Sequence, residues 1–168
     1  HPILHSFPTR RSSDLYYEHM SPMSPKIIKK YVMKFDGCSK GNPGLSGAGA
    51  VIYCNDDEIC SGVKFVGINA TNNQAEYTGL IIGFTYALEH QIEDILVQGD
   101  SQLIIYQMTG KYKCNSPSLQ DLYKKAKSLE EQFKTVNYQH IYRKFNSRAD
   151  HLSNVAVQQH LENIENIV

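Results

Sequence analysis

Between residues 29 and 67 three strand-like segments follow one another, and only after residue 73 does the apolar spacing change to that of a helix. Residues 29 to 36, KKYVMKFD, alternate well enough for a strand and run into GCSKGNPG, whose turn formers are expected to halt it at Asp36. Residues 46 to 55, SGAGAVIYCN, and 59 to 67, ICSGVKFVG, are rich in small and β-branched residues. The short acidic break Asp56-Asp57-Glu58 between them predicts a hairpin. Three consecutive strands pair most simply as an antiparallel meander.

Thr71-Asn72-Asn73 offers a cap for a helix from Asn73 to His90, with Leu80, Gly83, Phe84 and Ala87 in one sector and Glu76 at its edge. A short apolar strand, Asp94 to Asp100, precedes a helix from Ser101 to Thr109 that Gly110 stops. Asn115-Ser116-Pro117 caps a further helix to about Phe133, Thr135 to Tyr142 alternates as a strand, and Asn146-Ser147 begins a final helix. The order β-β-β-α-β-α-α-β-α predicts an α/β fold, a mixed sheet flanked by helices.

At 168 residues and 41% apolar content, one domain with a single core is expected, spanning residues 29–164. Residues 1–28 read as an unstructured leader. Within it His5 to Leu15, HSFPTRRSSDL, resembles the conceptual translation of a sequencing adapter and is set aside from the fold. Cys38, Cys54, Cys60 and Cys114 have no metal-ligand or disulfide spacing, so reduced thiols are expected. Lys plus Arg equals Asp plus Glu at 17 each, which removes the basic excess that would announce a nucleic-acid partner. The longest apolar run falls short of a membrane span and no signal peptide is apparent, so an intracellular protein is expected, cytoplasmic with the nucleus also open, and without membrane association.

Four carboxylates stand at element ends or on a core-facing side: Asp36, Glu76, Asp100 and Asp150. Asp36, Asp100 and Asp150 have ordinary explanations one by one, as a turn residue, a helix cap and a helix-dipole partner. Glu76 is harder to dismiss, because an isolated charge at the edge of an apolar stripe is expensive unless paired or metal-bound. Together the four suit a pair of divalent cations, which need several carboxylates from separate elements and open positions for phosphate and water.

The segments FDGCSKGNPGLSGAGAVI at 35 to 52, TNNQAEYTGLIIGF at 71 to 84, GDSQLII at 99 to 105 and FNSRADHLSN at 145 to 154 resemble, in order, the bacterial-type ribonuclease H family. The resemblance implies a five-stranded mixed sheet with the first three strands antiparallel. It also implies a catalytic, metal-binding acid set at Asp36, Glu76, Asp100 and Asp150. The implied activity is hydrolysis of the RNA strand of an RNA–DNA hybrid with two Mg²⁺, Mn²⁺ being an alternative; a monomer without an obligate protein partner is expected. Asn42, Asn72 and Asn73 match positions that read the 2′-hydroxyl in relatives, and Thr71 matches a DNA-phosphate contact. Two other readings remain open at this level. One is a non-catalytic nucleic-acid-binding module derived from a reverse transcriptase, and the other is a DNA-processing nuclease or transferase.

The chain departs from the pattern in two places. Many family members carry a histidine in the loop before the last helix, where this chain has Tyr142 to Arg148, so Arg143 or Arg148 is expected in that role. His140 is expected to be structural and His151 to face elsewhere. A basic insertion found in some relatives is missing between the second and third helices. Lys111, Lys113, Lys124, Lys125 and Lys127 remain as local positive surface, read first as a solvated helix face.

Overall fold

The computed structural model describes residues 24–168, so the leader expected up to residue 28 lies outside the described residues as far as residue 23. Residues 24–30 carry no regular structure and are exposed. The strands are β1 (Tyr31–Lys40), β2 (Gly44–Cys54), β3 (Asp57–Ala70), β4 (Asp94–Gly99) and β5 (Thr135–His140). The helices are α1 (Asn72–Glu89), α2 (Gln102–Met108), α3 (Pro117–Glu130) and α4 (Ser147–Glu165), with a 3₁₀ turn at Arg143–Phe145. One five-stranded sheet has the order β3-β2-β1-β4-β5. β1, β2 and β3 are antiparallel neighbours, while β4 is parallel to both β1 and β5.

The expected meander is present, with two differences. The break between β2 and β3 is shorter than Asp56 to Glu58: Asn55 and Asp56 alone turn the chain, both at positive φ, which Asn and Asp tolerate. Asp57 and Glu58 already pair with Cys54 and Tyr53. β1, likewise, does not stop at Asp36. The GCSK segment stays paired with β2 from Gly37↔Ala48 to Lys40↔Leu45, which leaves only Gly41 to Pro43 for the turn.

α1 opens with a capping box in which the Thr71 side chain accepts from the Gln74 N–H and the Gln74 side chain accepts from the Thr71 N–H. The single apolar sector expected for this helix is too narrow. Ala75 to Phe84 are buried without interruption, because α1 lies between the sheet on one side and α3 on the other. Met33, Phe35, Ile52, Tyr77, Leu80, Phe84, Val97 and Ile104 fill that layer, and each such apolar side chain contributes roughly 1.5–3 kcal/mol through burial. α4 covers the opposite face of the sheet, where a β-carbon at Gly49 would press on Leu152 and one at Gly47 on Ala156. Small residues on β2 thus let α4 sit directly on the strand backbone.

Candidate metal centre

The site begins where β1 and β4 part. Their parallel pairing ends at Phe35↔Gly99, so Asp36 and Asp100 are each the next residue along their strands. The crevice beyond the carboxyl ends of parallel strands is the usual ligand position in open α/β sheets. What ends at Asp36 is therefore the contact with β4, not β1 itself. Ser101 caps α2 through its hydroxyl, accepting from the Ile104 N–H at 3.4 Å, which leaves the Asp100 carboxylate free of the capping role.

Glu76 comes from the other layer. α1 crosses so close to β1 that a β-carbon added at Gly37 would overlap the α1 backbone at Ala75 and Glu76. Only glycine fits there, and that approach brings Glu76 to the gap beyond Phe35 and Gly99. Carboxylate oxygens of Asp36, Glu76 and Asp100 lie within 4.8 Å of one another. The Glu76 Oε2 is buried and has no hydrogen-bond partner.

Such crowding raises the affinity of these groups for protons. Burial, reinforced by the Asp100 charge, pushes the Asp36 carboxyl up to about 7. Burial and the neighbouring Asp36 also raise Glu76 well above the ordinary carboxylate range. Asp100 is raised by burial, with the nearby Arg143 guanidinium opposing the shift. Without a compensating cation the cluster retains proton density at neutral pH.

Asp150, in the first turn of α4, lines the same cavity of about 590 Å³ but stands outside the close group of three. An Arg143 guanidinium nitrogen lies 3.6 Å from its Oδ1. The Asp150 main-chain oxygen accepts from the Ser153 hydroxyl and the Asn154 amide, and Lys40 reaches Asn154 Oδ1.

The other residues expected at the site divide into two groups. Asn42 and Asn72 form a local lattice: the Asn72 N–H donates to Asn42 Oδ1 at 3.0 Å, and Asn72 Oδ1 accepts from the Ser39 N–H at 2.7 Å. Their carbonyl oxygens are thus committed inside the protein, and Asn72 lines the cavity. Thr71 caps α1, and Asn73 follows half-buried in its first turn. Arg143 lines the cavity, but Arg148 does not. Its Nε and Nη2 each donate at 3.0 Å to the Glu58 carboxylate on β3, and that bidentate pair holds it away from the acids. Of the two arginines expected there, the structure brings Arg143 alone to the cavity.

His140 is also more than a strand filler. At the end of β5 it lines the cavity, and its Nε2 lies 3.1 Å from the Asp100 main-chain oxygen. Its register opposite Gly99 would have revealed this, but register between β4 and β5 is not readable from one strand alone. Lys40, Tyr142 and Asn154 line the cavity too and carried no recognisable signal in the sequence.

A family profile described as reverse transcriptase-like matches residues 34–156. The chain is 40% identical over 130 residues to the bifunctional protein Rv2228c of Mycobacterium tuberculosis, the match covering 76% of this chain and 35% of that protein. It is 40% identical over 124 residues to ribonuclease HI of Halobacterium salinarum, covering 73% of this chain and 62% of the relative. The chain therefore spans about a third of the first relative and less than two thirds of the second. The solved N-terminal RNase H domain of the Mycobacterium tuberculosis protein superposes with a TM-score of 0.76 at 37% identity, covering 82% of this chain and 99% of that one. LC11-RNase H1, solved in complex with an RNA/DNA hybrid, superposes with a TM-score of 0.73 at 32% identity, covering 79% of this chain and 99% of that one.

Proposed function

The chain belongs to the ribonuclease H family, and we propose that it hydrolyses the RNA strand of RNA–DNA hybrids using two divalent cations. The observation that carries this reading is the meeting of Asp36, Glu76 and Asp100 from three separate elements, with oxygens within 4.8 Å. An all-carboxylate donor set suits a hard cation such as Mg²⁺ or Mn²⁺. The partnerless, buried Glu76 Oε2 and the raised Asp36 are what such a set looks like when its negative charge is uncompensated. Bound cations would supply Lewis acidity toward a phosphodiester and a lowered pKa for water.

The chain's own residues supply placement. Asp36, Glu76 and Asp100 would hold the cations, with Asp150 completing the acidic rim. The exposed Arg143 guanidinium, set against Asp150, offers a cation to phosphate at the cavity edge. The amide groups of Asn42 and Asn72 remain as donors toward a minor groove, where the 2′-hydroxyl distinguishes RNA from DNA. The hybrid held by LC11-RNase H1 supports this substrate class.

The test uses labelled RNA–DNA hybrid, duplex RNA and duplex DNA with Mg²⁺, for the wild type and Asp100→Asn. Cleavage confined to the RNA of the hybrid, and lost in the variant, is expected. Cleavage of duplex DNA, or an active variant, would overturn the proposal. Binding without cleavage by the wild type would favour a non-catalytic module.

A further inference from the structure

Aromatic and cationic side chains gather in one short segment, Tyr142 to Phe145, between β5 and α4, and of these Tyr142 and Arg143 line the cavity that holds the acids. Tyr142 is 72% exposed and Phe145 58% exposed, although both are large rings that a fold ordinarily covers. The Phe145 N–H donates to the Tyr142 carbonyl at 2.9 Å, closing the turn that carries both rings. Arg143 and Lys144 lie between them, with the Lys144 ammonium 5.0 Å from the Phe145 ring centre. Lys34 fastens the turn to β1 by donating to the Phe145 carbonyl at 3.0 Å. Beneath, His140 meets the Tyr142 ring edge-to-face at 6.2 Å, and the same His140 contacts Asp100. Tyr142 therefore lines the cavity beside a residue that touches the main chain of Asp100.

No lysine of α3 lines the cavity, and Lys127 is committed to Glu130 and the Met108 carbonyl. Tyr142 and Arg143 of the loop, with His140 behind them and Lys40 on β1, thus supply the aromatic and cationic lining of the cavity. Bases inside a hybrid duplex are stacked and unavailable, but the wide minor groove of an A-like helix exposes ribose faces and 2′-hydroxyls. A phenol ring presents both an apolar face for a sugar and a hydroxyl for its 2′-oxygen. We propose that Tyr142 packs against a ribose of the cleaved strand beside the scissile phosphate, making it a substrate-contacting residue that sets strand position. The contact is a refinement of the hybrid reading and rests on it.

The experiment compares wild type, Tyr142→Ala and Tyr142→Phe on the RNA–DNA hybrid, with Tyr112→Ala, an exposed aromatic away from the cavity, as reference. KM for Tyr142→Ala should rise roughly tenfold with kcat nearly unchanged. Tyr142→Phe should recover most of the loss, and Tyr112→Ala should match wild type. An unchanged KM for Tyr142→Ala, or an equal effect of Tyr112→Ala, overturns the assignment. The Tyr142 variants are also placed in the Asp100→Asn background and titrated with uncut hybrid by fluorescence anisotropy. Weaker binding by Tyr142→Ala supports the contact, and equal binding overturns it. An inactive wild type would sink the hybrid-cleavage reading, and the anisotropy result would still decide the fate of Tyr142.

Discussion

The side-chain amide of Asn146 donates to the main-chain oxygen of Phe35 at 2.9 Å, joining residues 111 positions apart in the chain. Asn146 is the N-cap of α4 but makes no side-chain capping bond; its amide spans to the sheet instead. One end of this bond precedes Asp36 and the other lies four residues before Asp150. The bond therefore fixes the start of α4 against the strand that supplies the first acid.

Asn146→Ala should destabilise the protein by about 1–3 kcal/mol, because it leaves the buried Phe35 carbonyl without its donor. It should also lower turnover, since α4 and β1 lose their common anchor. Urea unfolding and single-turnover cleavage measure the two effects. Loss of stability with turnover intact would show that the anchor holds the fold without aligning the site.

Asp36→Asn and Glu76→Gln should each reduce Mg²⁺-dependent cleavage by more than the roughly 10- to 100-fold typical of residues behind metal ligands. In the metal-free protein the same substitutions should raise Tm, because each removes a charge from a crowded, buried cluster. Opposite signs for activity and metal-free stability are the signature of a cation site. Thermal melts in chelator and Mg²⁺ titrations of activity give both readings.

The metal-free protein should lose stability as pH rises from about 4 to 7. Asp36 takes up its proton near 7 when folded, against 3.8 for an ordinary aspartate, so the folded protein holds a proton that the unfolded chain releases in this window. Stability from this group is full below the lower value and is lost through the upper one. Asp36→Asn should flatten the profile, and Mg²⁺ affinity should strengthen over the same range as the cation displaces the proton. Melts in chelator across pH, with calorimetric Mg²⁺ titrations, test both.

The two arginines of the last loop and helix should behave differently. Arg143→Ala should lower turnover with little change in Tm, because Arg143 lies exposed at the cavity beside Asp150. Arg148→Ala should leave turnover unchanged and cost about 0.5 kcal/mol of stability at most, since its partly exposed pair with Glu58 lies away from the acids. Steady-state kinetics and melting of both variants separate the roles.

The order of elements was legible because strand and helix periods differ, and Glu76 stood out because it sits on a face where an unpaired charge does not belong. The extent of β1 was not, since Gly37 to Lys40 read locally as turn formers while long-range pairing with β2 keeps them extended. α1 appeared one-sided because the second layer over it, α3, comes some forty residues later and cannot be inferred from the helix itself. The fate of Arg148 depended on Glu58, ninety residues distant, which no local pattern connects to it. Charge partners and layers belong to tertiary structure, whereas periodicity and capping belong to the neighbourhood.

Asp36, Glu76 and Asp100 come from a strand, a helix in the facing layer and a strand end, and no two are close in sequence. An unfolded chain cannot assemble that donor set, so cation occupancy would follow the native population and draw it upward by mass action. Ionic conditions in the test tube thereby become a handle on folding itself. A melting temperature that climbs with Mg²⁺ concentration would be the outward sign of three remote stretches of chain strapped together.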